Sequence, residues 1–139
     1  MKAINISVIG GGIGGLATAA ALLKKGFMVQ VYERAQALRP AGAGLILSPN
    51  GLNSLAAIDP KIVEALKQAG SEVHRLTMKR SSGETLLSMP MTTVAQQFGQ
   101  SMLHIKWSRL QSALASVLPP EIIHLNHRCV AIEEHEGHE

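Results

Sequence analysis

Five glycines near the start of the chain have the spacing of a phosphate-binding turn. The pattern G-x-G-x-x-G is matched by residues 10–15, with its glycines at Gly10, Gly12 and Gly15. The first glycine allows a tight strand-to-helix turn, the second lets a diphosphate approach the backbone, and the third lets the helix pack on the strand. Free amide groups at the positive end of the helix dipole then hold the diphosphate. The candidate dinucleotide-binding residues of this turn are Gly10, Gly12, Ile13, Gly14 and Gly15.

The segments around the glycines predict the βαβ unit that such a turn requires. Residues 3–9 are rich in β-branched side chains and predict a buried strand. Residues 13–25 are rich in Ala and Leu and stop at Gly26, which predicts a helix. Residues 27–33 predict a second strand, parallel to the first and reached by a right-handed crossover. The βαβ fingerprint therefore spans residues 3–34.

An acidic residue, Glu33, ends the second predicted strand about 20 residues beyond the glycines. At that position a carboxylate accepts hydrogen bonds from ribose hydroxyls, and its charge would repel a 2′-phosphate, which argues against NADP. A solvated carboxylate at a strand end is the alternative, but the complete order of strand, turn, helix and acid favours binding. The fingerprint alone does not separate FAD from NAD.

The remaining sequence predicts an α/β fold with a parallel sheet and a small β-hairpin or meander insertion. The predicted elements are a loop over 34–49, a short helix over 50–58, a helix from Pro60 that stops at Gly70, a hairpin of strands 73–78 and 84–89 around Ser82-Gly83, a polar surface loop over 90–102, an amphipathic helix over 107–118, and short strands over 122–125 and 128–134. The apolar stripe of the amphipathic helix contains Trp107, Leu110, Leu114, Val117 and Leu118.

Composition excludes several classes of function. The net charge is only +3 and the basic residues are scattered, so nucleic-acid binding is not expected. No apolar run has the length of a membrane span. A single cysteine forms no internal disulfide, which suits a reducing compartment and predicts a cytoplasmic location.

Histidines near the end of the chain raise the question of a metal site. His124 and His127 are three residues apart on a predicted strand and are expected to face opposite ways. His135 and His138 lie in a polar tail, and neither C-x-x-C nor H-E-x-x-H occurs. A nucleophile elbow and a P-loop are also absent from the sequence. We expect no metal site.

Three further segments carry a resemblance to a known family. They are residues 8–16, residues 31–34, and residues 42–45 followed by Pro49-Asn50. In these segments the sequence resembles the FAD-dependent aromatic hydroxylases, single-component flavoprotein monooxygenases that include salicylate and 6-hydroxynicotinate hydroxylases. The resemblance implies FAD as the bound cofactor, NAD(P)H as co-substrate, O2 as oxidant and a small aromatic compound as substrate.

The resemblance also implies roles for individual residues. Glu33 would bind the adenosine ribose, and Arg34 would lie along the adenine, with an ordinary surface charge as the alternative for Arg34. The loop from Gly44 to Ile46 would pass near the flavin. Since Ile46 offers only backbone and apolar contact, it is assigned no acid–base role. No catalytic residue is assigned, because no residue of the sequence indicates a role in the reaction.

Some positions depart from the pattern of the family. Where relatives carry a His-Arg pair whose Arg contacts FAD, this chain has Lys106 and Trp107. Either Arg109 replaces that contact from a different face of the helix, or the contact is lost. Cys129 occupies a position that lies near the adenine in relatives, and a buried structural thiol is the expected reading.

Members of this family run to several hundred residues, and their second half carries a Gly-Asp segment and most of the substrate pocket. Residues 1–139 therefore read as the N-terminal part of one FAD-binding domain, truncated or half of a split enzyme, and inactive alone. The alternative is a stand-alone nucleotide-binding module or a non-catalytic remnant. Without a strand beyond the first one, an unpaired sheet edge predicts marginal behaviour as a monomer and self-association.

Overall fold

The computed structural model describes residues 4–38 and 42–134 of the chain. The helices and strands, in chain order, are β1 (Asn5–Ile9), α1 (Ile13–Lys24), β2 (Met28–Tyr32), β3 (Gly44–Leu47), α2 (Pro49–Ile58), α3 (Pro60–Ala69), β4 (Ser71–Glu72), β5 (Arg75–Lys79), β6 (Thr85–Pro90), α4 (Thr92–Phe98), β7 (Leu103–Lys106), α5 (Trp107–Ser116), a 3-10 turn (Pro120–Ile122) and β8 (Ile123–His124). The predicted α/β class is confirmed: the fold is Rossmann-like, with one parallel sheet and small antiparallel sheets beside it.

The parallel sheet has the strand order β1-β2-β8. β1 pairs with β2 over its whole length, and the short β8 pairs with the end of β2 through Val31 and Tyr32. The predicted strand–helix–strand unit is confirmed, except that its first residue, Ala3, lies outside the described residues. Within the described part of the chain, the outer edge of β1 has no strand beside it, and Ile9 is 55% exposed there. Self-association through this edge stays a prediction.

A second sheet is antiparallel and ordered β3-β7-β4, and two predicted loops prove to contain regular structure. The loop predicted over 34–49 contains β3, and the loop predicted over 90–102 contains α4 and leads directly into β7. The prediction over 34–49 failed because the pairing of β3 with β7 is non-local. Leu45 and Leu47 are half-buried opposite Ile105 and Leu103, and those residues lie far along the chain. A strand that short carries little signal of its own.

The hairpin of β5 and β6 is confirmed, with Gly83 at φ +90° in its turn. The strand predicted over 128–134 is wrong, because this segment has no regular structure. Its apolar residues Val130 and Ile132 are each 88% exposed, and no described strand lies beside it to complete its hydrogen bonds.

The core lies between the parallel sheet and three helices. α1 packs on β2, and α5 packs on both α1 and α3. Leu16 and Ala19 of α1 are fully buried there, and the small Ala side chain lets the neighbouring elements approach closely. The predicted stripe of α5 is confirmed in burying Leu110 and Leu114. No helix in residues 4–38 and 42–134 has both the length and the apolar character needed to cross a bilayer.

Candidate dinucleotide-binding site

The glycine-rich turn links β1 to α1 at the carboxyl edge of the parallel sheet. Gly10 has φ +106°, a conformation that residues with a side chain rarely adopt. A Cβ added to Gly15 would lie 1.9 Å from the Gly10 carbonyl oxygen, so only glycine fits there. A Cβ added to Gly12 would meet no atom within 4 Å. Backbone conformation therefore explains Gly10 and close packing explains Gly15, whereas Gly12 leaves open space above the turn.

The start of α1 faces this open space, and no side chain of the described residues caps it. Gly12 is the N-cap and makes no side-chain capping bond, and no acidic residue occurs in the first turn. The first amide groups of a helix have no partner within the helix, and the dipole makes this end positive. The arrangement suits an anionic group such as a diphosphate.

Glu33 follows β2 and fastens the turn from the other side. Its Oε2 accepts a hydrogen bond from the Gly11 amide at 2.6 Å, and its Oε1 accepts one from the Ala35 amide at 2.8 Å. These two bonds hold the pKa of the Glu33 carboxyl below its ordinary value, and the bond from the Ala35 amide has the larger effect. The positive charge of Arg34 lowers this pKa further. Glu33 is therefore an anion at neutral pH. Each of its oxygens keeps a further lone pair for a ligand hydroxyl.

Glu33 lines several grooves, and two of them border the glycine-rich turn. The first, which we call the glycine groove, is lined by Gly12, Glu33, Ala35, Ala37, Leu38, Trp107 and Gln111. The second, the strand-end groove, is lined by Ile9, Gly10, Tyr32, Glu33, Arg34, His127, Arg128 and Cys129. A ligand that spans Glu33 would contact both grooves, with its anionic centre at the start of α1.

Gln111 is a site residue that the sequence did not reveal. Its side chain is buried, with 6% exposure, and its Nε2 donates to the Gly11 carbonyl oxygen at 2.8 Å. This bond ties α5 to the glycine-rich turn across the chain. A polar residue beside Leu110 in an amphipathic helix was the available signal, but its partner could not be inferred without the fold.

Replacing Gln111 by Leu should lower the free energy of unfolding by about 1–3 kcal/mol, because the buried Gly11 carbonyl would lose its partner. Urea unfolding followed by circular dichroism measures this change. Ser112→Ala is the matched control on the same helix, since the Ser112 hydroxyl is exposed and bonds the carbonyl oxygen of Ser108 one turn earlier. An equal effect of the two substitutions would contradict the role of Gln111.

The histidine cluster differs from the prediction. His124 and His127 were expected to face opposite ways, but their ring centroids lie 5.7 Å apart and both rings pack against Tyr32. The reason is that β8 ends at His124 and the chain turns at Asn126, where φ is +59°. Within the described residues, no three His, Cys, Asp or Glu side chains are grouped to hold a metal ion. His135 and His138 lie outside those residues.

Cys129 is exposed and lines the strand-end groove, so the expectation of a buried thiol is wrong. The expected burial depended on a strand at residues 128–134. Because that strand does not form, no second layer covers the thiol.

The other predicted residues lie on different elements of the fold. Arg34 is exposed and lines the strand-end groove. Gly44 and Ile46 lie on β3 of the second sheet, where Ile46 is 51% exposed and faces away from the buried Leu103 and Ile105 layer. Arg109 is exposed and is not among the residues that line the glycine groove, whereas Trp107 is.

A glycine-rich turn, an acid after the second strand and a parallel sheet define a Rossmann-like dinucleotide-binding fold. The family model for NAD(P)-binding Rossmann-like domains matches residues 8–43. The chain is 32% identical over 132 residues to a 3-amino-4-hydroxybenzoate 2-monooxygenase of Streptomyces platensis, covering 94% of this chain and 33% of that protein. It is also 32% identical to the 6-hydroxynicotinate 3-monooxygenase of Pseudomonas fluorescens, covering 86% of this chain and 31% of that protein.

Solved structures show the same fold. HpxO of Klebsiella pneumoniae, solved with FAD and uric acid, superposes with a TM-score of 0.83 at 23% identity over 95% of this chain and 33% of that one. The p-nitrophenol 4-monooxygenase of Pseudomonas putida superposes with a TM-score of 0.84 at 22% identity over 97% of this chain and 35% of that one.

In sequence the chain matches the N-terminal third of FAD-dependent aromatic monooxygenases, which confirms the family resemblance predicted from the sequence. The chain spans about a third of the length of the curated relatives it matches, and corresponds to their N-terminal third.

Proposed function

We propose that the chain binds FAD and forms the FAD-binding part of a flavoprotein monooxygenase that hydroxylates a small aromatic compound with NAD(P)H and O2. One observation carries the proposal. The start of α1 has no side-chain cap and opens at Gly12 onto the glycine groove. A Cβ added to Gly12 would meet no atom within 4 Å, and Glu33 lines the same groove. When bound, the flavin supplies the redox chemistry, and the protein supplies binding and orientation.

The residues of the turn fit the diphosphate and ribose of FAD. The amides at the start of α1 would donate hydrogen bonds to the diphosphate. The diphosphate could approach the backbone closely because Gly12 has no side chain. Glu33 would accept hydrogen bonds from ribose hydroxyls with its remaining lone pairs, and Arg34 would lie along the adenine in the strand-end groove. Turnover would need further parts of the family fold, because this chain spans only a third of its relatives.

NAD is a second candidate ligand, because the family model that matches residues 8–43 describes NAD(P)-binding domains. The same turn and the same acid bind the adenosine diphosphate half that FAD and NAD share. NADP fits less well than either, since its 2′-phosphate would approach the Glu33 carboxylate.

The test is equilibrium dialysis of the purified chain against FAD, NAD+ and NADP+, with retention of flavin on gel filtration as a second readout. We expect FAD to bind most tightly and NADP+ most weakly. A folded chain that retains NAD+ but no FAD would favour the second candidate. A folded chain that binds none of the three would contradict the proposal.

Gly12→Ala and Gly51→Ala form a matched pair for this test. The added methyl group at Gly12 meets no protein atom but occupies the path of the diphosphate, so we expect FAD affinity to fall at least tenfold, about 1.4 kcal/mol. Gly51 lies in α2, and its added Cβ would lie 3.9 Å from the Ser48 hydroxyl, an ordinary van der Waals distance, so the FAD affinity of Gly51→Ala should stay unchanged. Equal affinities of the two variants would contradict the position assigned to the diphosphate.

A further inference from the structure

His104 lies on the outer face of the second sheet, in the middle one of its three strands. β7 pairs with β3 on one side and with β4 on the other, so that His104 is opposite Ile46 and Ser71. Leu103 and Ile105, its neighbours along β7, are buried in the core. Because side chains alternate along a strand, His104 projects from the opposite face, where it is exposed. An exposed imidazole therefore occupies the centre of this face.

The direction of the imidazole is set by its contact with Gly44. A Cβ added to Gly44 would lie 2.9 Å from His104 Nε2 and 3.5 Å from Cε1, so the ring lies beside the glycine at the start of β3. Any larger residue at this position would displace the ring. Within residues 4–38 and 42–134, the imidazole of His104 forms no hydrogen bond. Its two nitrogens are therefore open to a ligand.

The start of β3 adjoins the glycine groove. Trp107 lines that groove, and its backbone amide donates to the Ala43 carbonyl oxygen at 2.9 Å. Ala43 directly precedes Gly44, the first residue of β3. His104 is three residues before Trp107, which is about 10 Å along an extended chain. Because its ring lies toward Gly44, His104 faces the end of the second sheet that is nearest to the groove.

The proposed path of FAD leads from the groove onto this face. With the adenosine at Glu33 and the diphosphate at the start of α1, the isoalloxazine leaves the groove on a different side. The side formed by Trp107 adjoins β3 and β7. There the outer face presents Ile46, which is 51% exposed, directly beside His104. A flat ring with polar edges suits this pair, since an apolar side chain contacts its face and a polar group fixes its orientation.

We propose that His104 is a binding residue for the isoalloxazine of FAD, and that its Nε2–H donates a hydrogen bond to a nitrogen or oxygen atom at the edge of that ring. The inference rests on the proposed function and deepens it, because it assigns the flavin half of the ligand to the second sheet. Gly44 is a positioning residue, since it leaves room for the imidazole. ADP lacks the isoalloxazine, so His104 should affect the binding of FAD and not that of ADP.

The experiment compares His104→Ala with His74→Ala by equilibrium dialysis against FAD and ADP. His74 is the matched control, because it is also an exposed histidine and lines neither groove. His104→Ala should weaken FAD about three- to tenfold, the range of one hydrogen bond, and leave ADP unchanged. The visible absorption band of the FAD that still binds should shift. His74→Ala should change none of these quantities.

Two further variants test the hydrogen bond and the position of the ring separately. His104→Gln keeps an N–H donor, so its FAD affinity should be higher than that of His104→Ala. Gly44→Ala should displace the imidazole and weaken FAD, but it should cause little further loss when added to His104→Ala, because no ring remains to be displaced. Gly44→Ala also tests the contact if His104→Ala does not fold.

The outcomes separate this inference from the proposed function. Equal FAD affinity and equal flavin absorption in His104→Ala and the unmodified chain overturn the role of His104 and leave the proposed function standing. The same holds if His104→Ala weakens ADP as much as FAD, if His74→Ala produces the same loss, or if the losses of Gly44→Ala and His104→Ala add in full. Failure of the folded, unmodified chain to bind FAD overturns both.

Discussion

Gly15→Ala should destabilise the protein by about 3 kcal/mol or more and abolish dinucleotide binding. The added Cβ would lie 1.9 Å from the Gly10 carbonyl oxygen, a backbone atom that cannot rotate away as a side chain could. Either α1 must move off β1 or the turn must change shape, and overpacking of this kind costs about 1–3 kcal/mol or more. The melting temperature should fall by about 10 °C. Thermal unfolding by circular dichroism measures it.

Gly14→Ala is the control for this prediction. Gly14 is the adjacent residue in α1, and its added Cβ would meet no atom within 4 Å. Alanine is a better helix former than glycine by about 1 kcal/mol, so the melting temperature of Gly14→Ala should hold or rise. If Gly15→Ala melted within a degree or two of the unmodified chain, the close packing of α1 on the turn would be wrong.

Glu33→Gln should lower the free energy of unfolding at pH 7 by about 1.5–3 kcal/mol. Glu33 accepts bonds from the Gly11 and Ala35 amides, one on each oxygen. A glutamine retains one acceptor oxygen, but its NH2 group would face the second amide as another donor. The loss is therefore that of a charge-assisted hydrogen bond. Denaturant unfolding at pH 7 gives the difference.

The difference in the free energy of unfolding between the unmodified chain and Glu33→Gln should decrease as the pH falls. The pKa of Glu33 is lowered in the folded protein, so the unfolded chain takes up the proton first as the pH falls. The contribution of Glu33 to stability is therefore complete above its ordinary pKa of 4.5 and is lost as the pH falls through the lower folded value. The stability gap between the unmodified chain and Glu33→Gln should narrow as the solution is acidified below that pKa.

Glu64→Gln serves as the control, because Glu64 is exposed on α3 and makes no hydrogen bond among those found in the described residues. The free energy of unfolding of Glu64→Gln should stay within about 0.5 kcal/mol of that of the unmodified chain. A gap between the unmodified chain and Glu33→Gln that persisted unchanged into acid would contradict the ionised role of Glu33.

The parts of the fold that were predicted correctly are those whose signal is contiguous. The strand, turn and helix around Gly10–Gly15 carry their own periodicity and their own glycine spacing, and Glu33 marks the end of the next strand. The β5–β6 hairpin is likewise local, since its turn residues lie between the two strands they join. Local signals of this kind predict elements well because the interactions they specify are between near neighbours.

The errors over β3 and over residues 128–134 concern partners that are distant in the chain. β3 forms because β7 lies beside it and pairs with it. Residues 128–134 are irregular because no described strand lies beside them. His124 and His127 meet because of the turn at Asn126, which no period-2 pattern anticipates. A short strand is stabilised by its neighbours rather than by its own sequence, so its presence depends on the completed fold.

By itself, the sequence determined the βαβ unit, the family and the residues of the glycine-rich turn, because each is written in a short, continuous pattern. Only the tertiary structure decided what surrounds that turn. It bonded Gln111 to Gly11 across 100 residues, closed the Glu33 carboxylate onto the Gly11 amide, and made Trp107 rather than Arg109 the wall of the groove. The contacts of Gln111 and Trp107 depend on how α5 packs against α1, and the Glu33 contact depends on the pairing of β1 with β2. Both are properties of the assembled core rather than of any one segment.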